Sequence, residues 1–305
     1  MLNRLVVNGF RCLKQVDLRF SPLTVLVGPN ASGKSAVLEF LDPERPIHER
    51  DRWNRKRDKQ VMVRMEYPGE EPRQREIQVG QSHHKAAQYQ YQLLHLDLQA
   101  IRQPNEVEPE RRLAGNGGNL TNVFDTLSRG DQVDIAKTLS ELVGVISDVE
   151  ARPVDVGRNT LIFQDRWDKA VYHFPHEVSD GTMLLLAFLV CRYQTPAPTL
   201  LAIEEPERGL HPYLLGELVG ILRKLTRGEM GGPPVQVIVA THSAELLDHL
   251  EPGEVRFMSR DPSDGNVLIE EAPVGTAEWQ RAIEEYRNSM GGIWLSGGLG
   301  GVPGR

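Results

Sequence analysis

Eight residues, Gly28-Pro29-Asn30-Ala31-Ser32-Gly33-Lys34-Ser35, carry the clearest chemistry in this chain. They fit the pattern G-x-x-x-x-G-K-[ST]. Glycines at the two ends let the main chain curl so that successive N–H groups face inward, an arrangement that suits phosphate oxygens. A helix beginning near Gly33 adds the positive end of its dipole. Lys34 is expected to reach the β/γ-phosphates, and the Ser35 hydroxyl to help hold Mg²⁺. The expected nucleotide-contacting set in the loop is Gly28, Asn30, Ser32, Gly33, Lys34, Ser35 and Ala36.

Further constellations follow in order. Val178-Ser179-Asp180-Gly181-Thr182 precedes the apolar run Met183 to Cys191. Ser179 offers a hydroxyl, Gly181 allows close backbone approach, and a helix dipole would face an anion, so a second phosphate site is one reading. A plain helix N-cap is the other. Thr199-Leu200-Leu201-Ala202-Ile203-Glu204-Glu205-Pro206-Glu207 is an apolar run ending in acids. A strand buried on both faces would hold those carboxylates rigidly at its C-terminal edge, where open α/β sheets bind ligands. Glu204 takes the metal-side position, holding Mg²⁺ through water. Glu205 is the expected general base, orienting the water that attacks the γ-phosphate. Val235 to Ala240 is a second buried run, closed by Thr241-His242-Ser243.

The elements that must position these residues are also legible. Leu2 to Val7, Gln15 to Phe20 and Leu23 to Val27 read as strands, the last feeding the loop, and Ala36 to Leu41 as a helix. Val61 to Tyr67 and Arg75 to Val79 alternate around Pro68-Gly69, a hairpin signal, and Tyr89 to Leu98 is strand-like. Thr121 to Leu127 and Val133 to Ile146 have helical spacing. Arg152 to Phe163 and Ala170 to Phe174 read as strands, and Tyr213 to Leu225 as a helix that Pro212 opens. Val255 to Ser259 and Val267 to Glu271 form a closing hairpin. Thr276 to Met290 is a polar helix candidate, and Gly291 to Arg305, with seven glycines, reads as disordered or as a docking tail.

Composition narrows the class. The chain has 305 residues, 40% apolar and 25% charged, which fits one large or two ordinary globular domains. A net charge of -7 argues against a basic coat for nucleic acid, while leaving room for a local patch. The patch candidate is His48 to Lys59, six Lys/Arg and three Asp/Glu around Trp53; basic residues with an aromatic suit a phosphate backbone and base stacking, though such a run is more often a solvated face or a partner surface. The two cysteines, Cys12 and Cys191, sit in apolar runs that read as buried, which fits a reducing, cytoplasmic setting. No signal-peptide core and no membrane-length apolar run is found, so no membrane partner is expected.

From Val6 to Ser35 the sequence resembles the opening of the RecF/SMC/OLD branch of ABC-type ATPases, with the turn Asn8-Gly9-Phe10-Arg11-Cys12 carrying one extra residue after the Asn. The resemblance implies a P-loop NTPase of α/β class, an ABC-ATPase head with a mixed sheet, an antiparallel β subdomain and a helical signature lobe. It implies ATP and Mg²⁺ as cofactors and adds Arg11 near the nucleotide. It makes Ser179 and Gly181 the signature that meets the γ-phosphate of another subunit, Glu207 to Pro212 the loop touching that subunit, and His242 the switch histidine. The Ser-x-Gly-Thr and Ile-Glu-Glu-Pro-Glu forms look OLD-like rather than transporter-like. The Gln that such ATPases place in a sensing loop has no clear match; Gln60 and Gln81 are the candidates. An insert of about 140 residues, broken by prolines and without heptads, excludes a long coiled-coil arm.

The expected organisation is a single head over 1–275, with a nucleotide lobe of 1–42 plus 171–272, an inserted β/helical lobe of 43–170, and a tail of 276–305. The expected function is an ATP-hydrolysing head that dimerises on ATP and regulates a separate effector, such as a nuclease in a bacterial antiviral defence module. The alternatives are a RecF-like DNA-binding ATPase of DNA repair and a nucleotide-gated interaction protein with little turnover. The chain shows no nuclease constellation of its own.

Overall fold

Short apolar runs with no polar break become the inner strands of one sheet, and runs that alternate become the strands of another. The computed structural model describes residues 1–53, 60–82, 89–230 and 233–298. Strands β1 (Arg4–Phe10) and β2 (Leu13–Arg19) form a hairpin. β3 (Leu23–Val27) is buried at every position and leads through the loop into α1 (Lys34–Leu41). β4 (Val61–Glu66) alternates, burying Val61, Val63 and Met65, and pairs antiparallel with β1 and with β5 (Arg73–Ile77). The result is an antiparallel sheet in the order β2-β1-β4-β5.

After β6 (Tyr91–Leu94) come α2 (Leu98–Ile101), β7 (Asn105–Glu106), α3 (Leu120–Thr126) and α4 (Arg129–Val143). Next are β8 (Ile146–Asp155), β9 (Arg158–Asp165), β10 (Tyr172–His173) and α5 (Asp180–Tyr193). β9 pairs antiparallel with β7, β8 and β10. The chain continues through β11 (Leu200–Glu204), α6 (Leu215–Arg227), β12 (Gln236–Thr241) and α7 (Ala244–Leu247). It closes with β13 (Val255–Arg260), β14 (Val267–Glu271), α8 (Ala277–Glu285) and α9 (Met290–Leu295).

The central sheet has the order β14-β13-β3-β12-β11-β6. β11, β12, β3 and β13 run parallel, and β14 returns antiparallel. Fully buried runs such as Leu200–Ile203 and Gln236–Thr241 suit strands covered on both faces. The core on one side of this sheet joins Leu26, Val37, Phe40, Leu200 and Ile238 to Leu5, Phe10 and Val63 of the antiparallel sheet. Gln236 locks the first residues into this core, accepting from Leu2 N at 2.8 Å and donating to Leu2 O at 2.7 Å.

The chain falls into two compact units. The first comprises Met1–Leu93, Thr199–Glu207 and Val219–Arg305, and holds the central and antiparallel sheets. The second comprises Leu94–Pro198 and Arg208–Leu218, and holds α3, α4, α5 and the β8-β9 ladder.

Some sequence expectations shift. The helix read to Ile146 stops at Val143, where Gly144 takes the left-handed conformation at φ 73°, and Ile146 opens β8 instead. The strand read over 152–163 is two strands turning at Gly157, φ 77°. The run read as strand from Tyr89 to Leu98 keeps only Tyr91–Leu94 as strand. Cys12 is only partly buried, whereas Cys191 is fully so, and burial pushes its thiol up to about 12. The glycine-rich tail is ordered as far as it is described: Met290, Ile293 and Trp294 are buried, and α9 packs on α7. Residues 299–305 lie outside the described residues.

Candidate nucleotide site

Register decides what meets at the edge of the central sheet. Glu204 lies opposite Ala240 across the β11–β12 pair, and Thr241 lies opposite Val27 across β12–β3. β12 and β3 therefore end level, and β11 ends one residue earlier. Their next residues are Glu205, His242 and Gly28, and the sequence-predicted residues of three separate segments gather at one carboxyl edge.

The loop after β3 is built tightly. Gly28 is buried against β13: a Cβ there would lie 2.3 Å from Met258 O and 2.8 Å from Ser32 Oγ, so only glycine fits. Ala31 and Gly33 take positive φ, 64° and 106°, which curls the chain ahead of α1. Ser32 is buried, Asn30 and Ser35 are exposed, and Ala36 and Val37 anchor the first turn of α1 in the core. Lys34 folds back into the loop, its Nζ donating to Gly28 O at 2.7 Å and Pro29 O at 2.9 Å. Burial pushes the ammonium pKa down, while Glu205, Glu204 and Glu207 push it up. A curled main chain with a lysine ammonium in its mouth and carboxylates beside it is a cradle whose donors fit a phosphate chain and whose acids fit a divalent cation.

At the end of β11, Glu205 has φ 47°, the left-handed region that a non-glycine residue occupies at a cost of about 1–2 kcal/mol. Its N–H donates to Ala240 O at 2.8 Å, which fixes this conformation from the neighbouring strand. Its Oε1 is 3.1 Å from His242 Nδ1. Sequence reasoning assigned no role within this site to Glu207, although its carboxylate is deeply placed. Its Oε1 accepts a hydrogen bond from the Thr241 hydroxyl, and its Oε2 is buried without a hydrogen-bond partner among the described residues. Burial raises the pKa of this carboxyl, against the Thr241 bond that lowers it. Thr241 Oγ1 also accepts from Ser243 N at 2.9 Å, so the threonine that Glu207 holds ties together the two residues flanking His242. The signal for this contact lay in the register of two strands distant in sequence.

Arg11, expected beside the nucleotide, is engaged with protein carboxylates. Its Nε donates to Asp51 Oδ1 and its Nη1 to Glu39 Oε1, each at 2.8 Å. Arg45 grips the same Asp51 at 3.0 and 3.1 Å. Burial would raise the Asp51 pKa, but Arg45, the His48 N–H and Arg11 overcome it and hold the carboxyl down at about 2. Trp53, expected to offer a stacking face within the basic run, is 4% exposed. Residues 54–59 of that run lie outside the described residues. Of the two candidates for the sensing-loop Gln, Gln60 and Gln81 are both exposed, and neither lies on the central sheet. β6 sits beside β11 in that sheet, and its start is tied to the start of β11 by the Leu200 N–H bond to Gln90 O, 3.0 Å. β6 thus runs out toward the same edge.

In the second unit, Ser179 caps α5: its Oγ accepts from Thr182 N at 3.1 Å and lies 2.9 Å from Thr182 Oγ1. The residue itself is exposed, whereas α5 from Gly181 to Arg192 is buried. Gly181 packs under Leu210 and Leu214. The segment after Glu207 exposes Tyr213, whose ring lies 4.9 Å from that of His211.

This fold and site define a P-loop ATPase head of the ABC type. The chain is similar in fold to the SMC head domain from Thermotoga maritima, at TM-score 0.51 and 14% identity over 90% of this chain and 99% of that one. It is similar to an SMC head bound to the C-terminal winged-helix domain of ScpA, at TM-score 0.53 and 15% identity over 88% and 97%. An SMC head with an extended coiled coil, bound to the C-terminal domain of ScpA derived from Pyrococcus furiosus, gives 0.51 and 13% over 94% and 99%. Residues 1–43 match the family described as "AAA ATPase domain". Residues 78–248, more than half of the chain, match the family described as "AAA domain, putative AbiEii toxin, Type IV TA system". The chain belongs to that family, within the ABC/RecF/SMC/OLD-like ATPases. An OLD nuclease of Thermus scotoductus is 52% identical over 42 residues, 14% of this chain; the match spans 8% of that relative's length. No helix among the described residues is long and apolar enough to cross a membrane.

Proposed function

We propose that this chain binds and hydrolyses ATP with Mg²⁺, that two copies close around the nucleotide, and that the closed state regulates a separate effector. The observation that carries the reading is that β3, β12 and β11 run parallel and end within one residue of each other, which brings Lys34, Glu204, Glu205 and His242 to one sheet edge. The Gly28–Ser35 loop binds the phosphates through its main-chain N–H groups and Lys34. Ser35 and Glu204 hold the cation, which supplies charge neutralisation for phosphoryl transfer. Glu205 orients a water and accepts its proton, and His242, 3.1 Å away, positions that carboxylate and reports the γ-phosphate. Ser179 and Gly181 serve the other copy's nucleotide. Arg11, held by Asp51 and Glu39, backs α1 rather than reaching the phosphates directly.

An effector that cuts nucleic acid is the leading partner. The short likeness to an OLD nuclease supports that direction. A defence role goes with this reading. The nucleic-acid-clamping alternative is weakened by the burial of Trp53, which removes its ring as a stacking face.

The test is mass by light scattering for the wild type and Glu205→Gln, each with and without ATP·Mg²⁺. Removing the base slows turnover and traps the closed form, so the variant doubles in mass only with nucleotide, and Ser179→Arg abolishes the doubling. Constant mass with ATP bound would overturn the paired-head reading and leave the nucleotide-gated binder.

A further inference from the structure

The segment that carries Ser179 has little regular structure of its own before α5 begins. Between the two-residue β10 and the first residue of α5 lie Phe174 to Ser179, and Ser179 is exposed at the end of that stretch. One side chain from elsewhere ties it down. Arg102, which ends α2, donates from Nε to Pro175 O at 2.9 Å, from Nη2 to Val178 O at 3.0 Å and from Nη1 to Asp180 Oδ1 at 2.6 Å. Three donors of one planar fork thus reach three positions that bracket Ser179. The guanidinium is mostly buried, and its partner Asp180 lies in the first turn of α5.

A second set of contacts confirms that this spot is a junction. Gly209, at φ 84°, sits where a Cβ would lie 3.3 Å from Asp180 Cβ and 3.1 Å from Leu98 Cδ1. The Arg208–Leu210 stretch, α2 and the start of α5 therefore meet around the Arg102–Asp180 pair. A residue at this point controls where the Ser179 hydroxyl and the α5 N-terminus point, without touching a ligand itself.

We propose that Arg102 is the positioning residue for the Ser179 site: it holds residues 175–180 in the conformation in which Ser179 and Gly181 are presented to a second copy of the chain. This rests on the paired-head reading above. Lysine replaces it only in part, because a single ammonium cannot span two carbonyls and a carboxylate in the same fork geometry. Asp180 is the lesser partner, since its loss leaves the two carbonyl bonds in place.

The test compares Arg102→Ala, Arg102→Lys and Asp180→Asn in the Glu205→Gln background. Four readouts are taken: hydrogen exchange across 174–183, fluorescent-ATP affinity, mass with ATP·Mg²⁺, and the thermal midpoint. Arg102→Ala is expected to speed exchange in 174–183 at least tenfold while leaving it unchanged over 28–35. ATP affinity stays within twofold, and the protein concentration for half-dimerisation rises at least tenfold. Arg102→Lys falls between, and Asp180→Asn moves dimerisation about threefold. Unchanged exchange in 174–183 overturns the strut, whatever the mass does. Faster exchange with undiminished dimerisation overturns its role in presenting Ser179. If Glu205→Gln itself never dimerises, the paired-head reading has failed and the presenting role falls with it, while the exchange data still decide the strut. A loss of fluorescent-ATP affinity in step with a lowered midpoint would show general damage and count against the proposal.

Discussion

Two carboxylates outside the expected catalytic set show how burial and partners set their behaviour. Asp51 is fully buried, bonded to Arg45, Arg11 and the His48 N–H, and its pKa is held at about 2. A carboxyl lowered on folding contributes stability that is complete above its ordinary value of 3.8 and is lost as pH falls through about 2. That contribution amounts to about 2 kcal/mol. Asp51→Asn is therefore expected to lose about 2 kcal/mol at pH 7, and its urea midpoint should converge on that of the wild type as pH falls through this window. A gap that stays constant from pH 7 to 2 would show that Asp51 acts by shape alone. Glu207 has the opposite sign. Its pKa is raised by burial, so its contribution is complete below the ordinary 4.5 and is lost as pH rises through the raised value. Glu207→Gln keeps an acceptor for the Thr241 hydroxyl and removes the charge. The variant should show a flatter thermal midpoint against pH above 4.5 than the wild type, and slowed turnover because the Thr241–His242–Ser243 turn loses a charged anchor. An identical pH slope would mean that the carboxyl is solvated.

Elements differed in how much of them could be read from sequence, for reasons the structure makes physical. β3, β11 and β12 were plain because continuous apolar runs ending in chemistry-bearing residues suit only strands buried on both faces. The hairpins of the antiparallel sheet were plain because they alternate. The Glu207–Thr241 contact and the placement of β6 beside β11 were not, because each depends on pairing between segments far apart in sequence. The tail misled through composition. Glycine richness reads as disorder, yet Gly291 is required where α9 crosses α7: a Cβ there would lie 2.1 Å from Ala244 O. Asp248 accepts from Gly291 N at 2.9 Å and Ser289 Oγ at 3.0 Å, and Trp294 is 3% exposed. α9 thereby clamps the helix that begins two residues after His242. Trp294→Ala should cost about 3 kcal/mol by the loss of a large buried ring, read as a lower chemical-denaturation midpoint. Trp294→Phe should recover more than half of that, since the indole N–H has no partner to lose among the described residues. Equal losses in the two variants would place the cost in the N–H rather than in the ring.

At the scale of the molecule, the two halves of the proposed chemistry sit in different compact units, with Lys34, Glu204, Glu205 and His242 in the first and Ser179 and Gly181 in the second. A net charge of -7 gives identical copies a mutual repulsion, so their pairing must be won at specific contacts such as a shared nucleotide. If each site takes its loop from one copy and its signature from the other, defects in loop and signature can complement. Lys34→Ala retains an intact Ser179 but loses phosphate binding, and Ser179→Arg retains an intact loop but cannot serve its partner. Each variant alone should hydrolyse ATP at under about a tenth of the wild-type rate. Mixed in equal amounts, only a mixed pair can close, and it holds one whole site of its two. Turnover per chain should then recover to at most about half of the wild type, as two-fold symmetry requires. Sites complete within a single chain would show no recovery at any mixing ratio. Recovery that rises with total protein concentration and saturates would locate the active species in the pair rather than in the chain.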